Sequence, residues 1–228
     1  VCIQPDQHQW VASPQPGVER VMLDRVGAEK ARATSLVRYA PNSHFPSHMH
    51  PGGEEILVLS GTFSDDSGDC PAGWYLRNPP GSSHQPRSLE GATLFVKLWQ
   101  MEPGEQATVR VDTNLASAWQ QSSTEGVGQR EVCPLFAAPT EQVCLLRVSA
   151  GLMLLPDAIH SAECLVIKGD VQFKGQSCEA GSWLRLPAGC YPQLLAGPEG
   201  ATVYLKTGHM PSGRVAVGQV AASAGAAA

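Results

Sequence analysis

The segment His48-Met49-His50-Pro51-Gly52-Gly53-Glu54-Glu55 places two imidazoles and two carboxylates within eight residues. Neutral imidazole and carboxylate are the ordinary ligands of zinc and other first-row divalent metals. Residues two apart on a strand face the same side, so His48 and His50 can grip one ion together. Pro51-Gly52-Gly53 is a tight-turn signature, after which Glu54 opens a returning strand through Ile56-Leu57-Val58-Leu59 to Gly61. A further candidate ligand, His84, follows a second strand-then-turn run from Gly73 to Gly81. The plain alternative is a polar, turn-rich chain in which these histidines fall together by coincidence. Four ligand-type residues make a metal site the first hypothesis.

The elements that must hold such a site are strands. Gly 23 and Pro 18 punctuate short apolar runs throughout the 228 residues, and no segment sustains a long helical stripe. The chain also repeats itself. Ala72-Gly73-Trp74-Tyr75-Leu76-Arg77-Asn78-Pro79-Pro80-Gly81 returns as Ala180-Gly181-Ser182-Trp183-Leu184-Arg185-Leu186-Pro187-Ala188-Gly189, offset by 108. Glu90-Gly91-Ala92-Thr93 returns as Glu199-Gly200-Ala201-Thr202, offset by 109, and each half opens near a tryptophan, Trp10 and Trp119. Two all-β units are expected, over residues 1–105 and 106–216, joined around Glu102 to Thr124. An Ala-rich tail, 217–228, adds nothing to either core.

The two histidine-bearing stretches resemble the cupin family. The first cupin motif, G-x5-H-x-H-x(3,4)-E-x6-G, is met at His48, His50, Glu54 and Gly61, with Asn42 in place of the opening glycine. The second, G-x5-P-x-G-x2-H-x3-N, is met at Gly73, Pro79, Gly81 and His84, with Ser88 in place of the closing asparagine. The wording GGEEILVLSGTFSDD followed by PAGWYLRNPPGSSH is similar to the cupin domain of ChrR-type anti-sigma factors. That resemblance implies tandem double-stranded β-helix (jelly-roll) barrels. In the first, three histidines and one glutamate would surround a single ion, which is zinc in the ChrR case. Iron, manganese and nickel accept the same ligands.

Glu54 and Glu55 compete for the carboxylate role, since neighbours on a strand face opposite sides. Spacing to Gly61 fits the family motif with Glu54. Glu55 is then an outer partner of the site or a surface charge. Carried across the repeat, His48, His50, Glu54 and His84 land on Pro156, Ala158, Ala162 and Pro192. A shift of one residue in the first motif gives Asp157, Ile159 and Glu163, still without a histidine pair. His160 is a lone imidazole nearby, read as a surface or rim residue. The second unit is therefore a degenerate copy without an ion. Features present in both halves, Arg77 with Arg185 and Lys97 with Lys206, read as architectural. Tyr39, His44 and Tyr75 occur only in the first half, and Tyr39 or His44 is placed at the pocket rim.

A net charge of −5 with no basic cluster argues against nucleic acid and anionic membranes as partners. No apolar run approaches a membrane span, and the N-terminus lacks a basic-then-apolar leader. Seven cysteines without a CxxC pair read as reduced thiols of a cytoplasmic protein, with Cys70 and Cys178 at equivalent packing positions. Three function classes remain open: a metal-dependent cupin enzyme such as a dioxygenase acting on a small molecule, a ChrR-like regulatory sensor, and a barrel whose ion is structural. The chain has no His-x3-Cys-x2-Cys segment of the kind that binds zinc in ChrR-type proteins, so direct sigma-factor binding is not expected. A homodimer follows from the resemblance.

Overall fold

A computed structural model describes residues 1–27, 31–122 and 129–208; the expected Ala-rich tail, 217–228, therefore lies outside the described residues, as does the end of the second unit, 209–216. The chain is all-β, two antiparallel barrels in tandem. The principal sheet of the first runs Val109–Asp112, Trp74–Asn78, Glu54–Asp65, Ala92–Leu98, Arg32–Tyr39, Val18–Val26, Val11–Ala12. That of the second runs Cys2–Ile3, Trp183–Leu186, Ala162–Phe173, Leu195–Thr207, Glu141–Val148, Arg130–Ala138, Gln120–Gln121. Strand for strand the two orders are the same, as the sequence repeat requires. No described helix is long and apolar enough to cross a membrane.

The edge strands are exchanged. Cys2–Ile3, from the start of the chain, pairs with Trp183–Leu186 of the second barrel. Val109–Asp112, beyond residue 105, pairs with Trp74–Asn78 of the first. Each barrel thus borrows one strand from the sequence of the other.

Strand periodicity explains the layering. In the first barrel Ile56, Val58, Leu76, Leu94 and Val96 form the interior cluster. Their neighbours Leu57, Tyr75 and Phe95 turn the other way and pack on Leu165, Trp183 and Tyr204 of the second barrel. The barrels therefore meet sheet against sheet through a shared apolar layer.

A buried charge cluster crosses that layer. Lys206 Nζ donates to Glu55 Oε2 at 2.7 Å and Arg77 Nη1 donates to the same oxygen at 3.1 Å. Arg77 also meets Glu141 at 2.9 Å, Arg185 meets Asp24 at 2.7 Å, and Lys97 contacts Glu163. Glu55 with Glu163, Arg77 with Arg185, and Lys97 with Lys206 are repeat-related pairs, so the cluster has approximate twofold symmetry. The same symmetry governs the rim, where Arg38 stacks on Trp10 and Arg147 on Trp119.

Candidate metal centre

Two short strands, His48–His50 and Ser82–His84, pair antiparallel with His84 opposite His48 and Ser82 opposite His50. Opposed and alternate positions share a face, so three imidazoles converge. Ring centroids lie 4.7 Å (His48–His50), 5.0 Å (His48–His84) and 4.8 Å (His50–His84) apart. One ligand nitrogen from each lies within 4.8 Å of the others. The turn between His50 and Glu54 closes through a Gly53 N–H to His50 C=O bond of 3.0 Å, with Gly53 at φ 75°. Gly52 lies flat against the Trp99 ring, which leaves no room for a β-carbon.

Glu54 begins the next strand and aims inward. Its Oε2 stands 3.5 Å from both His50 Nε2 and His84 Nε2, and those two nitrogens are 3.0 Å apart. His50, Glu54 and His84 are buried, whereas His48 is exposed at the mouth. A carboxylate and imidazole nitrogens crowded this closely out of water call for a cation among them. The residues fit a divalent metal.

The outer contacts orient the ligands. His48 Nδ1 is 3.1 Å from the Pro46 carbonyl, which leaves Nε2 free to coordinate. Asp65 Oδ2 is 3.5 Å from His84 Nδ1, a charge contact rather than a tight hydrogen bond. Asn78 Nδ2 donates to Glu54 Oε2 at 3.2 Å, and Arg110 Nη2 donates to Asn78 Oδ1 at 2.8 Å. Arg110 also stands 3.8 Å from Asp65. One guanidinium, delivered by the exchanged strand, therefore steadies both supports.

Electrostatics splits the two buried histidines. Burial pushes His50 down, partly offset by Glu54. Burial acts on His84 in the same sense, but the Asp65 contact and the Glu54 charge outweigh it and hold His84 up. Asp65 is held below the usual carboxylate range: burial opposes this, and His84, the Ser67 N–H and Arg110 prevail.

A cavity of about 460 Å³ opens above His48, His50 and Glu54. Tyr39 lines it and packs on Phe45 at 4.6 Å, and its hydroxyl is pushed up by burial and by Glu54. Val37, Trp99, Arg20 and Arg25 also line it. His44 is exposed on a two-residue strand opposite Arg87, away from that wall. Glu55 and Tyr75 face the second barrel. A larger groove of about 790 Å³ runs between the barrels past Trp119 and Arg147 and contains none of the histidines.

Asp65, Asn78 and Arg110 were not anticipated from sequence. Asn78 alternates with Trp74 and Leu76, so its inward aim was legible. Asp65 was not, because the register shifts around Leu59–Gly61 and reverses the inward parity of the strand.

In the second barrel the same interior is apolar. Ala162, Phe173, Leu186 and Cys2 stand where the first has Glu54, Asp65, Asn78 and Arg110. Leu154, Leu155 and Leu194 fill the remaining space. The three imidazoles of the first barrel are the only cluster of this kind among the described residues.

Paired antiparallel barrels, the first with histidines on two short paired strands, have the architecture of tandem cupin barrels. Residues 1–102 match the family described as the ChrR cupin-like domain. That match makes the first barrel ChrR cupin-like; the second barrel repeats its strand order without a family match of its own. No curated protein matches it in sequence. Among solved structures it is similar to a Nostoc punctiforme protein provisionally assigned as a dioxygenase (TM-score 0.65, 15% identity, 89% of this chain and 74% of that one). It is similar also to protein Ylba from E. coli (0.64, 16%, 93% and 92%). A third is the bacterial pirin YhhW from Escherichia coli, in complex with nickel(II) (0.58, 14%, 91% and 97%). At these identities the likeness shows the fold.

Proposed function

We propose that the first barrel holds one divalent transition metal on His48, His50, Glu54 and His84 and binds a small organic anion above it. The observation that carries this reading is the convergence of Glu54 Oε2 on two imidazole nitrogens at 3.5 Å beneath an open cavity. Zinc is favoured by the ChrR likeness, and the nickel(II) complex of a similar fold keeps nickel in view; iron and manganese suit the same donors. The bound ion would polarise a ligand oxygen. Arg20 and Arg25 in the cavity wall would balance a carboxylate, while Val37, Tyr39, Phe45 and Trp99 keep water from its apolar body.

In this reading residues 1–105 form the metal unit, 106–216 a metal-free frame and 217–228 a tail of no catalytic account. The protein is cytoplasmic, pairs with a second copy, and acts on its ligand as a metal-dependent enzyme of the dioxygenase kind. The ChrR-like match favours a second reading, a regulatory domain that responds to metal or oxidant.

The test uses cobalt(II)-loaded protein titrated with oxalate and with 2-oxoglutarate. Direct coordination shifts the visible ligand-field bands, and Arg20→Ala weakens that binding while leaving the metal in place. Spectra unmoved by either carboxylate would remove the anion-site reading. Oxygen uptake or product formation by the native metal form then favours the enzyme; binding without turnover favours the sensor.

A further inference from the structure

The second barrel carries a thiol pair where the first carries metal-site supports. Cys2 on the exchanged strand pairs with Leu184, just as Arg110 pairs with Leu76 at the equivalent edge of the first barrel. Arg110 reaches inward to Asn78 and Asp65. Cys2 reaches inward to Cys178, and their sulfurs stand 3.3 Å apart. Cys178 is the repeat partner of Cys70, which has no such neighbour because Arg110 stands in the place of Cys2. The pairing therefore belongs to the second barrel alone.

We propose that Cys2 and Cys178 form a reversible disulfide when the protein meets a peroxide, fastening the N-terminal strand to the second barrel. A disulfide requires about 2.05 Å between sulfurs, so the pair must close by only about 1.3 Å. The element that must move is a two-residue strand held by two register pairs, Cys2 with Leu184 and Ile3 with Trp183. Metal binding is the competing use of paired thiols. Among the described residues no further His, Cys, Asp or Glu joins Cys2 and Cys178 as a three-membered ligand group, so oxidation is the chemistry left to them.

The chemistry balances with a peroxide as oxidant. Cys2, the half-buried partner, reacts first: its thiolate attacks hydrogen peroxide, the O–O bond breaks, and a sulfenic acid forms with hydroxide, which takes back the proton the thiol released and leaves as water. The Cys178 sulfur then attacks the Cys2 sulfur, the S–S bond forms, and the sulfenic oxygen leaves as a second water with the Cys178 proton. Two thiols lose two electrons in all, and one peroxide gains them. Burial, with the Cys2 contact second, pushes the Cys178 thiol up, so it is the less reactive of the two toward peroxide. In a reducing cytoplasm such a bond forms only transiently, under oxidant. It would tie down the segment whose exchange joins the two barrels.

The experiment treats the full chain with equimolar hydrogen peroxide, blocks remaining thiols with iodoacetamide, and digests with trypsin without reductant. The expected product joins the peptide ending at Arg20 to the peptide Gly175–Arg185, two hydrogens lighter than their sum, and splits again with dithiothreitol. Thermal unfolding of the oxidised protein should rise by roughly 5–10 °C, a gain lost in Cys2→Ser. Cys2→Ser sits at a half-buried edge, so it keeps the fold even if Cys178→Ser does not. Carbamidomethyl groups on both Cys2 and Cys178, or linkage of either to Cys164 or Cys190 instead, would overturn the proposal.

Discussion

Glu54 and Glu55 are neighbours in the chain and serve opposite faces of one sheet. Glu54 stands 3.5 Å from the imidazoles of His50 and His84, and Glu55 stands 2.7 Å from the ammonium of Lys206 in the other barrel. A single peptide step thus separates the candidate metal centre from the charge cluster that joins the barrels. The two carboxylates have different work, and substitution separates it. Glu54→Gln is expected to lower metal affinity at least about tenfold with little loss of stability, since a charged donor leaves the set. Glu55→Gln should keep the metal and cost about 3 kcal/mol, because Arg77 and Lys206 lose one of the two carboxylates they share and keep only Glu141. Metal titration beside denaturant unfolding reads both effects, and the reverse pattern would exchange the two assignments.

Arg110 touches no candidate ligand, yet it steadies Asn78 behind Glu54 and Asp65 behind His84. Arg110→Ala should weaken metal binding by about 10–100-fold, the usual effect of losing an outer support. Asp65→Asn should act in the same direction, because His84 loses the charge that holds its ring. Competition with a calibrated chelator measures this. Affinity unchanged in both variants would mean that the two paired histidine strands alone orient the ligands.

Much of this organisation was legible before any coordinates. The 108-residue offset between Gly73-Trp74 and Gly181-Ser182 carries the two barrels, and a period of two carries the opposition of Glu54 and Glu55. What lies across from Glu55 was not legible, because no local pattern says which face of which sheet will cover it. The exchange of Cys2–Ile3 and Val109–Asp112 was hidden for the same reason: an edge strand of two to four residues pairs with whichever sheet tertiary packing brings near. Arg110 and Cys2 were missed as a pair on that account. Asp65 was missed because the irregularity near Gly61 breaks the alternation that would have located it.

Acid should reveal the interface carboxylate. Burial by itself would raise Glu55, but Lys206, Arg77 and Lys97 pull it down from 4.5 to about 2. A depressed carboxylate contributes stability that is complete above about 4.5 and is lost as pH falls toward 2. The amount at stake is about 3 kcal/mol. Unfolding free energy measured from pH 6 to pH 2 should therefore fall in that window in the native sequence, and fall less steeply in Glu55→Gln. Parallel curves for the two proteins would show that Glu55 titrates alike folded and unfolded.

Stoichiometry tests the contrast between the barrels most directly. In the second, Ala162, Phe173 and Leu186 replace Glu54, Asp65 and Asn78, and Leu154, Leu155 and Leu194 occupy the interior. No charged donor remains to attract a cation there, and an apolar filling is costly to displace. Elemental analysis of purified protein should find about one transition-metal ion per chain. His84→Ala should bring the content close to zero while the strand signature in circular dichroism persists, because the apolar clusters of the second barrel and of the interface lie away from the histidine strands. His160→Ala should leave the metal content unchanged. Two ions per chain, with one lost in His160→Ala, would mean that the second barrel assembles a site from residues the first does not use.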